Sequence, residues 1–337
     1  MTLPITRKLF LTLVIFLGLA SPAFAAPNTL PNSKQKPTTA IITGPTISTH
    51  RLSSEELAKV VSSEIVNPMT IDDDDFERTR DASIWRGLEV RRISFTENGA
   101  HWALWRVVNT KRPAGPLWLQ LHDNENAPFL GAIDGIKKYG GIAVIVDTGP
   151  RDDGSASRFN RDVAYGPRID PNRNFWGPSI YTSAILADLN NSRGENRVII
   201  SIHSNSPSFD SRNSTCGIGN GRGEISILVC NDTMFPMPSR SKRYPFDDDD
   251  SLAIIPFLGR WQDKMAFCAR SLMKADFNIG FEKIVTSDGS LSNYAIFSDL
   301  DYINLETQDR GGGEYELADA RARIHTMVDG VMRLCAD

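Results

Sequence analysis

Val198-Ile199-Ile200-Ser201-Ile202-His203-Ser204-Asn205-Ser206 opens as an apolar run and closes on a histidine among small polar residues. Consecutive apolar residues that do not alternate with polar ones suit a strand buried on both faces. Two other stretches share this form. Residues 117–121 (Leu-Trp-Leu-Gln-Leu) lead into His122-Asp123-Asn124-Glu125, and Tyr302-Ile303-Asn304-Leu305 leads into Glu306. A further buried strand is expected at 142–146, with strand-like stretches at 102–105 and 225–229. Helical patterns fall at 126–139, closed by Gly140-Gly141, and at 181–189, 257–274 and 316–334. In the last, Leu317, Ala320, Ile324, Val328 and Val331 share one face. Ser53 or Ser54 caps a further helix over 53–66, with Glu55 and Glu56 in its first turn. Strands alternating with helices predict an α/β domain built on a mixed, mainly parallel sheet flanked by helices on both faces. Ligands of such sheets bind beyond the carboxyl ends of the strands, where His122, His203 and Glu306 are expected.

The ends of the chain differ in character. Arg7 and Lys8 precede an uncharged apolar run from Leu9 to Ala20, and Ala23-Phe24-Ala25 supplies small residues for cleavage after Ala25. This reads as a secretory signal over residues 1–25. The run is short of the roughly 20 residues a bilayer span needs, and no later segment is apolar enough. The expected location is therefore periplasmic or secreted, with no membrane span after cleavage. Residues 26–50 are rich in Pro, Thr, Ser and Asn and read as a disordered linker. Residues 51–337 then form a single domain. A net charge of −4 argues against a nucleic-acid partner. Four cysteines in an oxidising compartment favour bridges, and the expected pairs are Cys216–Cys230 and Cys268–Cys335. No C-x-x-C spacing points to metal.

Of five histidines, His50 lies in the linker, His101 beside a strand and His325 in the last helix. His122 and His203 remain. In His122-x-x-Glu125 a turn brings two side chains to one face. With His203 they supply two nitrogens and a carboxylate, which leaves a fourth tetrahedral position open, as in catalytic zinc sites. Glu306 is then the candidate proton carrier. In Asp170-Pro171-Asn172-Arg173-Asn174-Phe175 a loop offers an amide and a guanidinium matched to a carboxylate. Arg151, Arg158, Arg161 and Arg168 lie upstream as candidate oxyanion donors. The acid runs 72–75 and 247–250 lack the spacing and Gly of a calcium loop, and read as solvated loops.

These four motifs, with Leu305-Glu306 last, stand in the order found in the zinc carboxypeptidase superfamily, which the stretch from 117 to 334 resembles. The resemblance implies one zinc ion held by His122, Glu125 and His203. It implies Glu306 as general base and then acid, and Asn172 and Arg173 as the grip on a terminal carboxylate. Arg158 has the spacing nearest that of the oxyanion arginine. Ile284 and Asn205 stand where the carboxypeptidase A type carries tyrosines, so a different substrate pocket is expected. The 122–125 and 170–175 motifs also resemble the succinylglutamate desuccinylase and aspartoacylase branch. The expected function is an exported metallopeptidase acting on a peptide substrate beside a free carboxylate, with cell-wall (peptidoglycan) stem peptides as the natural target in that compartment. The alternatives are a deacylase of small N-acyl amino acids and a non-catalytic module that binds cell-wall peptides.

Overall fold

Strand β4 (Leu117–Gln120) lies inside a ten-stranded sheet and decides how the site is assembled. The computed structural model describes residues 49–149, 156–190, 197–205, 225–259 and 263–335. The expected signal segment and nearly all of the expected linker fall outside these. All described residues belong to one contact unit, Ala40–Asp337. No helix among them is long and apolar enough to cross a membrane.

The chain begins with α1 (Ser54–Val60), whose capping box at Ser53 and Glu56 matches the sequence expectation. The helix stops there. Ser62–Val66 is β1, paired antiparallel to β2 (Leu88–Glu97), so the helix expected over 53–66 is half strand. Between them lie the short helices α2 (Asp74–Arg78) and α3 (Ala82–Trp85). Then follow β3 (Ala100–Asn109), β4, α4 (Asn126–Tyr139), β5 (Ile142–Asp147), α5 (Ile180–Ile185) and β6 (Ile199–Asn205). The chain continues with β7 (Met234–Met237), β8 (Leu252–Phe257), α6 (Asp263–Lys274), β9 (Ile279–Lys283), α7 (Leu291–Phe297), β10 (Tyr302–Gln308) and α8 (Glu314–Cys335). Two further expectations change. Residues 225–229 form turns, not a strand, and the helix expected from 257 starts at Asp263 because 252–257 is β8.

The sheet order is β1-β2-β3-β5-β4-β6-β10-β8-β9-β7. The sheet is mixed and flanked by helices, as expected, but it is not mainly parallel, because the added β1-β2-β3 meander and the edge around β8 and β7 pair antiparallel. Its parallel pairs are β5/β4, β4/β6, β6/β10 and β8/β9, while the other five neighbours are antiparallel. Three of the four parallel pairs run consecutively through the middle, from β5 to β10, and the early β1-β2-β3 meander extends one edge. From β4 the chain moves to one side to form β5 and then returns to the other side for β6. This reversal makes the carboxyl ends of β4 and β6 a topological switch point, where such sheets open a crevice.

Both faces are covered, which is why the inner strands read as unalternated apolar runs. Trp118, Ile200, Ile202, Ile303 and Leu305 pack with α4, α6 and α8. Leu117, Leu119, Ile199 and Tyr302 pack on the opposite side with Tyr181 of α5 and Leu291 and Tyr294 of α7. Ala320, Ile324, Val328 and Val331 on the expected face of α8 are all buried. Cys268 of α6 is bonded to Cys335 of α8, as expected. The pairing of Cys230 with Cys216 involves a residue outside the described ones.

Candidate metal centre

The period-two geometry of strands sets the site. On β6, Ile199, Ser201 and His203 share one face, and parallel register places Asn304 beside Ser201 and Glu306 beside His203. A polar row of Ser201, His203, Asn304 and Glu306 thus ends an otherwise apolar face. His122 follows β4 by two residues, and the chain turns there. Glu125 donates its backbone N–H to the His122 carbonyl at 3.1 Å and caps the start of α4. The turn is not helical, but it brings His122 and Glu125 together as the spacing suggests.

His122, Glu125 and His203 are all buried and offer ligand atoms within 4.8 Å of one another. His122 Nδ1 lies 2.8 Å from Glu125 Oε1 and 3.1 Å from His203 Nδ1. His203 Nδ1 lies 3.3 Å from Glu125 Oε2, which also accepts the Ser204 backbone N–H at 3.0 Å. Both rings are held by their outer nitrogens. His122 Nε2 lies 3.0 Å from Asp170 Oδ1, and His203 Nε2 lies 2.9 Å from Ser201 Oγ. Such outer partners fix the tautomer and turn the other nitrogen toward a metal. The group can hold a metal ion: two imidazole nitrogens and a carboxylate face one point, and the two nitrogens approach each other with no room for a proton on both.

Charge follows from this crowding. Burial would push the Glu125 carboxyl up, but the facing His122 and His203 hold it well below the usual carboxylate range. Burial pulls His122 down, and is outweighed by Glu125 and Asp170, so its net shift is upward. For His203 burial prevails and the ring is held below its usual value. The Glu306 carboxyl is 3% exposed and pushed up to about 8, first by burial and then by the charge of Glu125. Asn304 Nδ2 donates to it at 2.8 Å.

Arg158 reaches the same cluster. Its Nη1 donates to Glu125 Oε1 at 3.2 Å and its Nε lies 4.0 Å from Asp170. Arg161 and Arg168 are exposed, and Arg168 packs over the Phe159 ring. Arg151 lies outside the described residues. Asn172 and Arg173 form the 3-10 turn Pro171–Arg173 that Asp170 caps through the Asn172 N–H at 2.9 Å. Arg173 Nη1 pairs with Asp288, and Asn172 Oδ1 accepts the Leu291 N–H at 3.4 Å. The 287–291 loop thus folds over this turn. Gly289 makes the contact feasible: its φ is +79°, and a Cβ there would lie 2.6 Å from the Arg173 carbonyl.

His122, Glu125, His203 and Glu306 are the residues on which the sequence resemblance to the zinc carboxypeptidase superfamily rests. No family model matches the sequence, and no curated protein matches it. Among solved structures it is similar to succinylglutamate desuccinylase from Chromobacterium violaceum, at 14% identity over 74% of this chain and 67% of that one, with a TM-score of 0.35. It is also similar to the product-bound ectoine utilization protein EutE (DoeB) from Ruegeria pomeroyi, at 13% identity over 81% and 70%, with a TM-score of 0.40. A third is the apo cell shape determinant protein Csd4 from Helicobacter pylori, at 12% identity over 67% of this chain and 51% of that one, with a TM-score of 0.36.

Sequence reasoning named the three ligand-type residues, Glu306 and Arg158, and the structure brings these five together. It did not give a role to Asp170, Ser201 or Asn304. Ser201 and Asn304 were accessible through period two, since each stands two residues before His203 or Glu306. Ile284 and Asn205 are both buried, and the Asn205 side chain donates to the Asp250 carbonyl at 2.9 Å.

Proposed function

We propose that the protein is an exported zinc-dependent hydrolase that cleaves a peptide or amide bond beside a free carboxylate. One observation carries this reading: both imidazoles present Nδ1 to the Glu125 carboxylate while Asp170 and Ser201 hold their Nε2 atoms, with Glu306 next to His203 across β6 and β10. Nitrogen and carboxylate donors suit zinc, with His122, Glu125 and His203 as its three protein ligands. Zinc bound there supplies Lewis acidity, activating water and polarising a carbonyl.

The rest is the work of the chain. Glu306 takes the proton of the attacking water and returns it to the leaving amine. Its burial beside a second carboxylate keeps its affinity for a proton high, which suits a group that must both accept and donate near neutrality. Arg158 supplies hydrogen-bond donors beside the cluster for the oxygen on which charge develops. Asn172 and Arg173 orient the substrate carboxylate, and Asp288 steadies the Arg173 guanidinium until a substrate arrives. Export through the N-terminal signal would place the enzyme with cell-wall stem peptides, which end in free carboxylates.

The test is mass spectrometry of zinc-loaded protein incubated with muropeptides and, separately, with N-acyl amino acids. Release of a terminal residue from muropeptides supports the peptidase reading, and cleavage of the small amides alone replaces it with deacylation. Glu306→Gln should retain zinc and lose turnover by about 10²–10⁴-fold. Full activity in that variant, or no amide cleavage by the wild type, would overturn the proposal.

A further inference from the structure

The acid run 72–75 is not a solvated loop. Asp73 caps α2, its Oδ1 accepting the N–H groups of Asp75 at 3.0 Å and Phe76 at 3.3 Å. Asp75 is 2% exposed. Asp73 meets two carboxylates from distant parts of the chain. One is Asp123, within the 122–125 turn; the other is Asp147, the last residue of β5. Oxygens of Asp73, Asp123 and Asp147 lie within 4.8 Å of one another.

Each of the three has one oxygen anchored. Asp123 Oδ2 accepts from the Thr148 N–H at 3.1 Å and its hydroxyl at 2.7 Å, and Asp147 Oδ1 accepts the Gly149 N–H at 2.8 Å. With one oxygen fixed in this way, each carboxylate keeps its second for the cluster. Asp75 adds an independent sign. With the Asn126 amide turned so that its nitrogen faces acceptors, it donates to Asp75 Oδ1 at 2.7 Å, while the buried Asp75 Oδ2 has no partner among the described residues. The charges acting on Asp75 most strongly are those of Asp73 and Asp123.

Asp75 and Asp123 are buried and Asp73 and Asp147 half-buried, none has an ion pair among the described residues, and the four carboxylates repel one another. Buried charge of this kind is tolerated when it is neutralised by protons or by a metal. An all-oxygen set selects a hard cation. Calcium takes about six to eight oxygens in flexible geometry, whereas magnesium usually binds through one or two carboxylates and keeps its waters. Three carboxylates converging from separate segments, with a fourth beside them, fit the former. The upward push on Asp73, to about 6 through burial and then Asp147, shows the same repulsion.

We propose that Asp73, Asp123 and Asp147, bordered by the unpartnered oxygen of Asp75, form a calcium site. The ion would tie the cap of α2, the 122–125 turn and the end of β5 together. Because Asp123 stands between His122 and Glu125, it would also brace the turn that presents them. The site does not depend on the proposed hydrolase activity.

The experiment titrates CaCl2, and separately MgCl2, into the zinc-loaded full chain by calorimetry, with thermal melts in parallel. One calcium per chain should bind saturably and more tightly than magnesium. At a free concentration a hundredfold above the Kd the folded-to-unfolded ratio should rise about 100-fold. Asp73→Asn/Asp147→Asn should abolish this response, keep its zinc, and melt above the wild type when calcium is absent, since the repulsion is gone. Should the double variant not fold, Asp73→Asn alone keeps the helix cap and should lower calcium affinity at least tenfold. No saturable calcium uptake up to millimolar concentrations, unchanged calcium affinity in the variants, or tighter magnesium binding would overturn the proposal. So would stabilisation by acid in wild type with no calcium uptake, which would mean shared protons instead.

Discussion

Asp170→Asn should weaken the hold on zinc while leaving the fold intact. Asp170 Oδ1 accepts from His122 Nε2 at 3.0 Å and from the Asn172 N–H at 2.9 Å, and its side chain is 18% exposed. A hydrogen bond to a charged acceptor contributes about 1.5–3 kcal/mol, and a neutral one about 1 kcal/mol. Asparagine keeps an oxygen in place and loses the charge, so the difference is about 0.5–2 kcal/mol, or roughly twofold to thirtyfold in zinc affinity. Asp170→Ala removes the partner altogether, and losses of about 10–100-fold are expected for such outer groups. Competition with a chromophoric chelator measures both. Asparagine still caps the 171–173 turn, so the metal-free melting temperature of Asp170→Asn should stay close to that of the wild type. Wild-type zinc affinity in both variants would show that His122 is not oriented by Asp170.

Arg173→Ala should raise KM for substrates with a free terminal carboxylate and leave carboxamide analogues nearly unchanged; an equal loss on both refutes the grip. Cys268→Ser/Cys335→Ser opens a loop of 67 residues, worth about 4 kcal/mol by chain entropy, so the urea midpoint should fall clearly, and an unchanged midpoint would count against the bridge. The raised Asp73 pKa has a definite sign. Its stabilising contribution is full below its ordinary value of 3.8 and is lost as pH rises through about 6. Screening at this partly exposed group leaves about 1–2 kcal/mol of that effect. In calcium-free buffer the wild type should therefore lose stability between pH 4 and 7 relative to Asp73→Asn, and parallel pH profiles would refute the assignment.

What the sequence disclosed was governed by locality. The helix at 126–139 and the buried strands at 142–146 and 302–305 rest on patterns within a few residues, and they stand in the structure with small changes of boundary. Residues 62–66 have a mixed pattern and take their form from pairing with β2, a partner some thirty positions away. The sequence pattern assigns nothing to 252–256 and places Phe257 at the start of a helix, because an apolar run that short has no period of its own. Their identity as a strand comes from β10 and β9 on either side. The site divides in the same way. His122-x-x-Glu125 declares itself locally, whereas the contacts of Asp170 with His122 and of Asp73 with Asp123 and Asp147 join segments about fifty or more residues apart, or brought together only by the sheet. No residue pattern near Asp73 distinguishes it from a solvated acid.

The central claim is that His122, Glu125 and His203 share one zinc ion. Metal analysis with zinc-edge X-ray absorption on the purified full chain tests it most directly. The expected result is one zinc per chain, bound by nitrogen and oxygen at about 2.0–2.2 Å, and lost in His122→Ala/His203→Ala. A zinc-free wild type after reconstitution, or a spectrum that the double variant leaves unchanged, would contradict it.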